Sequence, residues 1–405
     1  DHRDLHSFPT RRSSDLPLTS HEVVALEQAR GRTLHEPVIA SFQVPPHTNS
    51  AVDGYAIQSL DIPIAGQLNQ LEISGTALAG KPCLITAKQG QSVRIMTGAA
   101  LPEGFDTIIM QEQVQRDGQY ILIDHRPKTG QNIRQAGEDI QQGQTILTPG
   151  KFLTPADIGL IASLGIAEIK VRRKLRIAIA STGDEVHDLD ASLDLGGIYD
   201  SNRYLLMATL DRPDIEIINL GILEDNPEAL LTCFNETSQH CDIIISSGGV
   251  SVGAADHTRM ALESTGEIDF WKVAIKPGRP LAFGEIGSCA FFGLPGNPVA
   301  VMVTFYQFVL PALIKMLGIT EQPICPQFKA TATEAIRKRP GRTEIQRGII
   351  SQDKNGEWQV KTTGKQGSGI LRSMSLANAF IILDHDSASV QPGDQVTVQA
   401  FAGLW

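Results

Sequence analysis

The run Cys241-Asp242-Ile243-Ile244-Ile245-Ser246-Ser247-Gly248-Gly249 constrains the fold of this chain more than any other stretch. Ile243 to Ile245 has the length and composition of a strand buried on both faces of a parallel sheet. Gly248 and Gly249 then let the backbone turn with positive φ and approach a ligand with no Cβ in the way. Val250-Ser251-Val252-Gly253-Ala254-Ala255-Asp256 continues into a helix. Successive amides in such a turn, with a helix start behind them, favour an anion such as phosphate. Asp256 adds a carboxylate beside that site, a usual arrangement for holding Mg²⁺ against phosphate oxygens. The pattern is neither a Walker A loop nor GxGxxG, and a strand–Gly-Gly–helix connection without function would read the same. Its neighbours decide.

Between Lys174 and about Gly318 the chain alternates strands with helices, which predicts a doubly wound sheet. Leu175 to Ala180 is a strand leading into Ser181-Thr182-Gly183-Asp184-Glu185, and Ser201 to Leu210 is helical. Ile215 to Leu223 is a strand ending at Glu224-Asp225-Asn226-Pro227, where Asp225 or Asn226 caps the next helix. Phe270 to Pro280 is extended and carries Lys272, Lys276 and Arg279 around a tight turn. Cys289 to Leu294 is the last strand and enters Pro295-Gly296-Asn297-Pro298 ahead of a long helix. Ligands of an open parallel sheet bind at the carboxyl ends of its strands. Any one of these Asp residues reads as a helix cap. Four strand ends with Gly or Pro turns and carboxylates, hydroxyls or cations point instead to one site built from distant segments.

The flanking sequence is of another kind. Thr19-Ser20-His21-Glu22 before Val23 reads as a capped helix ending near Gly31, and Thr154-Pro155-Ala156-Asp157 opens a helix to Leu164. Between Pro46 and about Gly143 lie short strands broken by glycine, among them Ser92 to Met96, Thr107 to Gln111 and Tyr120 to Ile123. Asp53-Gly54 reads as a turn; Arg94 to Ala99 and Asn132 to Asp139 read as solvated loops. After Gln322-Pro323 come candidate strands Phe328 to Ala332, Arg342 to Ile350, Trp358 to Thr362, Ala379 to Leu383 and Gln395 to Ala400. Arg337, Lys338, Arg339 and Arg342 make a basic stretch there. The expected division is a helical linking domain (17–45 and 146–173), an inserted β domain (46–145), an α/β domain (174–322) and a β domain (323–405).

Residues 1–16 resemble the translation of a common sequencing-adapter oligonucleotide, lack an apolar core segment and are read as a non-native leader. At 405 residues the chain exceeds one ordinary core. A net charge of −10 argues against a general nucleic-acid or anionic-membrane binder. Val299 to Leu317 is apolar enough for a membrane span, but Thr304, Gln307, Pro311 and Lys315 and its α/β setting make it a buried helix. Cys83, Cys233, Cys241, Cys289 and Cys325 show no CxxC spacing, which suits a reducing cytoplasm without a disulfide framework or zinc site.

Taken in order, Asn49 to Ala56, Arg94 to Gly98, Gly137-Glu138-Asp139, Ser181 to Glu185, Ser246 to Asp256, Lys272 to Pro280, Pro295 to Pro298 and Arg342 to Gly348 resemble the blocks of the bacterial molybdopterin molybdenumtransferases, the MoeA/gephyrin E-domain family. The resemblance spans residues 17–405. It implies α/β plus β architecture: a central doubly wound α/β (molybdopterin-binding) domain, an inserted β domain, a helical linking domain and a C-terminal β barrel. It further implies a homodimer whose active site lies between the α/β domain of one subunit and the β domain of the other. The implied reaction takes molybdate and adenylylated molybdopterin, releases AMP with Mg²⁺ and leaves molybdenum on the dithiolene.

Carried onto this sequence, the resemblance implies Mg²⁺ on Asp225, Asp256 and Glu185, with Lys272 and Lys276 acting at the reacting phosphates or oxyanion. Ser247, Gly248, Gly249, Ser251 and Gly253 would cradle the pterin phosphate, and Arg279 would supply charge where many relatives have lysine. Asp53, Thr97, Arg134 and Asp139 match positions that the second subunit would bring; Pro298, Ser368, Arg342 and Arg347 match the molybdate end. The family's N-terminal helix looks truncated, which bears on dimer stability rather than chemistry. Molybdopterin adenylyltransferase and molybdoenzyme maturation proteins are the implied partners. The alternatives are a molybdopterin adenylyltransferase, a non-catalytic pterin-phosphate-binding scaffold, and a sugar- or nucleotide-binding α/β protein whose Asp residues are caps.

Overall fold

The structure, a computed structural model, describes residues 17–64, 66–248, 267–320 and 327–401. Residues 1–16, read from sequence as a leader, and Gly249, Ser251, Gly253 and Asp256 of the glycine loop lie outside the described residues. Two compact units make up the chain: Glu36–Thr148 with Ala156–Ala167, and the remainder.

In the larger unit, the strand Leu175–Thr182 has parallel neighbours on both sides, Ile215–Leu223 and Ile243–Ser247. Ile243–Ser247 pairs in parallel with Cys289–Leu294, and Pro280–Ile286 and Glu267–Lys272 complete the sheet as an antiparallel meander. The apolar runs have no polar face because both faces are covered. Ile177, Ile179, Ile243 and Ile245 pack with helix Ser201–Leu210 and the long helix after Pro298. The alternate residues Ala178 and Ile244 pack with Leu230 and Phe234 of helix Pro227–Ser238. This two-sided burial is what a parallel strand in a doubly wound sheet requires.

The long helix Pro298–Met316 is long and apolar enough to cross a membrane, yet 67% of its apolar window is buried, and Val299, Val303, Phe305 and Leu313 belong to the sheet core. It passes through a π turn at Phe305–Val309 just before Pro311. Pro311 has no N–H for the residue four back and its ring crowds that carbonyl, so the helix widens there.

The strand Gln327–Ala332 opens a barrel with Thr343–Gln352, Trp358–Thr362, Ala379–Leu383 and Gln395–Ala400. Thr343–Gln352 pairs with both Trp358–Thr362 and Ala379–Leu383, which closes the ring of five strands around Ala330, Val360, Ile381, Val396 and Val398. Closure removes the open edges that short strands would otherwise expose. Ile275–Lys276 pairs in parallel with the start of Thr343–Gln352, joining the α/β portion to the barrel within this unit.

In the smaller unit, six strands run in the order Thr107–Met110, Gly54–Ile57, Gln91–Ile95, Asn69–Ala77, Tyr120–Ile123, Gln115–Asp117. Gly54 was expected in a turn; it begins a strand instead, where an added Cβ would sit 2.0 Å from the Ile109 carbonyl oxygen. Close backbone approach, not a turn conformation, requires glycine there.

The helix expected from Thr19 is not formed. His21–Ala25 is a strand paired antiparallel with Glu168–Arg172, followed by a single 3₁₀ turn, Leu26–Gln28. The β-branched pair Val23 and Val24 suits the ladder, and long-range pairing outweighs the local capping signal. The helix expected at Pro155 is present as Pro155–Ser163.

Candidate active site

Leu175–Thr182 lies between strands reached by connections of opposite direction, so a crevice opens at the carboxyl ends of these strands. A cavity of about 830 Å³ occupies it. Its walls include Thr182 and Glu185, Asp225, Ser247 and Gly248, and Pro295 to Pro298, which follow or end the four parallel strands. Lys276 and Ser368 border the same space. Seven residues named from sequence therefore meet here: Glu185, Asp225, Ser247, Gly248, Lys276, Pro298 and Ser368.

The strand ends are held by polar contacts in the cavity wall. Asp200, which is 3% exposed, accepts from the Ser181 hydroxyl (3.0 Å), the Arg203 amide (3.1 Å) and Arg203 Nε (2.8 Å). It thereby caps helix Ser201–Leu210 and pairs with a buried guanidinium at once. Asn202 Nδ2 donates to Ser247 Oγ (2.8 Å) and to the Gly296 carbonyl (2.7 Å), tying two strand ends together. Asn226, and not Asp225, caps the helix Pro227–Ser238: its Oδ1 accepts from the amides of Glu228 and Ala229. The Asp225 carboxylate therefore has another role than N-cap, on the cavity wall.

The expectation that the Gly248 amide cradles phosphate needs correction. Gly248 N–H donates to the Leu294 carbonyl at 3.1 Å. With φ of +95° and an added Cβ only 2.3 Å from the Thr182 carbonyl, Gly248 instead supplies a conformation and close approach of two strands. Ser247 Oγ accepts from Asn202 Nδ2 and lines the cavity. The Asn297 side chain makes no cap bond to the helix behind it and lines the cavity.

Other expected residues lie elsewhere. Lys272 and Arg279 are exposed on either side of the turn closed by Val273 N–H to Arg279 carbonyl (2.8 Å), and neither borders this cavity. Arg342 lines a separate cavity of about 530 Å³ and Arg347 one of about 460 Å³. Arg347 is fully buried; it donates to Ser373 Oγ and to the Gly367 carbonyl, and desolvation pulls it down to about 10. Through Gly367 it fixes the loop that carries Ser368 into the main cavity.

Asp53, Thr97, Arg134 and Asp139 are in the smaller unit. There Asp53 Oδ1 accepts from Thr97 N–H (2.7 Å) and Thr97 Oγ (2.8 Å), and these bonds hold the exposed carboxyl below its usual range. The Asn49–Ser50 strand carries Asp53's segment alongside Ile133–Arg134 and bonds the Thr97 turn through Gly98 N–H. Asp139 is exposed nearby in sequence, with its amide on the Val44 carbonyl.

Sequence reasoning missed Asp200, Asn202 and Asn297. Asp200-Ser201-Asn202 carries a capping signal, but nothing local says that Asn202 reaches a strand 45 residues on. Replacing Asn202 with alanine is expected to cost about 1–2 kcal/mol of stability, the scale of two partly buried hydrogen bonds. Thermal unfolding checks this, with a rise in substrate KM and little change in kcat.

Three comparisons bear on this geometry. The chain matches the models of the MoeA N-terminal region (domain I and II) over residues 7–165, the probable molybdopterin binding domain over 178–315 and the MoeA C-terminal region (domain IV) over 329–401. It is 42% identical to a molybdopterin molybdenumtransferase of Haemophilus influenzae over 95% of both chains. It is 36% identical to a molybdopterin molybdenumtransferase of a Nostoc species over 93% of this chain and 88% of the other. The crystal structure of a molybdopterin biosynthesis MoeA protein from Pyrococcus horikoshii OT3 superimposes with a TM-score of 0.83, at 29% identity and 96% coverage of each chain.

Proposed function

The chain belongs to the molybdopterin molybdenumtransferase family, and we propose that it transfers molybdenum from molybdate to adenylylated molybdopterin with release of AMP. The observation that carries this reading is the convergence of four parallel strand ends on one cavity. About 830 Å³ suits a nucleotide-sized ligand. Its wall chemistry suits a pyrophosphate beside an oxyanion: Lys276, the carboxylates of Glu185, Asp200 and Asp225, several serine hydroxyls and the Asn297 side chain.

The residues present fit Mg²⁺. Asp225 and Glu185 border the cavity as hard oxygen donors, and Mg²⁺ takes one or two such carboxylates together with substrate phosphates. Thr182 Oγ is buried there with no partner among the described residues. Among those residues no group of three or more His, Cys, Asp or Glu side chains would hold a metal alone, so Asp256 and the substrate would complete the set. When bound, Mg²⁺ supplies charge neutralisation on the pyrophosphate. The chain's own groups do the rest. Ser247 donates to a phosphate oxygen, Lys276 offsets charge on the oxyanion, and Glu185 at the exposed mouth orients water. Lys272 and Arg279, exposed on the neighbouring turn, raise the local concentration of anionic substrate.

The active form in this reading is a homodimer, in which Asp53, Thr97, Arg134 and Asp139 of a second copy face the cavity. It works in the cytoplasm, taking its nucleotide from a molybdopterin adenylyltransferase and passing the cofactor to molybdoenzyme maturation proteins.

AMP release from adenylylated molybdopterin, followed with Mg²⁺ in the presence and absence of molybdate, tests the function. Molybdate-stimulated release is expected. No release from folded protein would favour the scaffold alternative, and ATP-dependent adenylylation of molybdopterin would favour the adenylyltransferase.

A further inference from the structure

We propose that Glu344 sets which oxyanions the Lys276 end of the cavity accepts, acting as an internal counter-ion that an incoming anion has to displace. Lys276 borders three cavities, the main one and those of about 460 and 530 Å³, and Glu344 borders the latter two. The two residues sit side by side where Ile275–Lys276 pairs with Thr343–Gln352. Lys276 Nζ donates to Glu344 Oε1 at 3.1 Å, while Oε2 accepts from Gln346 Nε2 at 3.0 Å. Gln346 is in turn fixed by the Arg337 carbonyl at 3.0 Å. Glu344 is 5% exposed, whereas half of the Lys276 side chain is accessible.

The surroundings are cationic. Arg337, Arg347 and Lys365 line the smaller cavity with this pair, and Arg337, Lys338, Arg339 and Arg342 line the other. Among the described lining residues of both, Glu344 is the one carboxylate. Several of the cations are already engaged: Lys338 Nζ donates to the carbonyls of His385 and Ser387, and Arg347 to Ser373 and Gly367. Lys276 is the accessible one that faces the main cavity, and its charge is offset by a carboxylate at contact distance. A buried carboxylate is costly unless paired, so it holds the ammonium firmly. An oxyanion that enters gains Lys276 only by sharing it with, or taking it from, Glu344. Weakly bound oxyanions are thereby excluded, and those that gain enough from the remaining wall are admitted. Glu344 is in this sense a positioning and specificity residue. Molybdate as the natural oxyanion rests on the function proposed above; the counter-ion role does not.

Calorimetric titration of the folded full chain with sulfate tests the proposal. Glu344→Gln keeps the shape and the Gln346 contact but removes the charge. It is expected to bind sulfate roughly tenfold tighter than wild type, the effect of removing a like charge next to an anion. The gain should vanish in the Glu344→Gln, Lys276→Met double variant. Glu344→Asp, which withdraws the carboxylate by one methylene, should show a smaller gain and serves if the glutamine variant fails to fold. In turnover, sulfate should inhibit Glu344→Gln at lower concentration while the apparent KM for molybdate falls. Sulfate affinity unchanged in a folded variant overturns the counter-ion role even if AMP release is normal. Absence of AMP release from the folded wild type, with tighter sulfate binding by Glu344→Gln, overturns the function and leaves the counter-ion role standing.

Discussion

Asp225→Asn should slow Mg²⁺-dependent AMP release by about two to three orders of magnitude, the scale on which one preorganised electrostatic group counts in a water-poor site. The N-cap of helix Pro227–Ser238 is Asn226 and stays in place, so the substitution does not act by uncapping that helix. The substitution keeps size and removes only the charge at the end of Ile215–Leu223, where the carboxylate meets the cavity with Glu185. The Mg²⁺ concentration for half-maximal release should rise with it. Steady-state AMP release across a Mg²⁺ series, beside a thermal melt, separates the two readings of this aspartate. A lowered melting temperature with unchanged turnover would make Asp225 a structural residue.

Gly248→Ala should be damaging on both counts. The added methyl would lie 2.3 Å from the Thr182 carbonyl oxygen and 3.1 Å from Thr182 Oγ, in a backbone conformation of φ +95°. Overpacking and left-handed strain together cost about 3 kcal/mol. Relief requires Leu175–Thr182 and Ile243–Ser247 to separate at the carboxyl ends, where their ladder now runs to Ser181 and Ser247. Displacing Ser247 by about 1 Å is expected to lower kcat/KM roughly a hundredfold. Gly296 is the control, since among the described residues a Cβ there meets only Gly248 Cα, at 4.0 Å. Gly296→Ala should melt like wild type and raise KM, because its methyl enters ligand space. Equal melting temperatures for the two variants would refute the account of Gly248.

Much of the fold was legible because some segments carry their environment in their own composition. Ile243 to Ile245 can only be satisfied between two apolar layers, and the structure buries alternate residues against opposite layers. Cys289–Leu294 and Ala379–Leu383 start and stop where their apolar runs do, and Trp358–Thr362 and Gln395–Ala400, which mix polar and apolar residues, also have the expected bounds. His21–Ala25 was misread because its local signals favour a helix, while its ladder partner lies more than 140 residues away at Glu168–Arg172. Gly54 was misread for the same reason: the carbonyl that forbids a side chain belongs to Ile109.

The same boundary divides the site. Sequence by itself determined that strands would end in glycine and proline turns bearing Glu185, Asp225, Ser247 and Pro298, since β-branched runs and turn residues act locally. Only the tertiary structure decided that Asn226 takes the cap and leaves Asp225 on the wall. It also decided that the Gly248 amide serves Leu294 and not a ligand, and that Lys276 meets Glu344 while Lys272 does not border the cavity. Which of two adjacent residues is left over for chemistry depends on hydrogen bonds and charges from segments tens of residues away. Those partners are chosen by packing, and no local pattern encodes them.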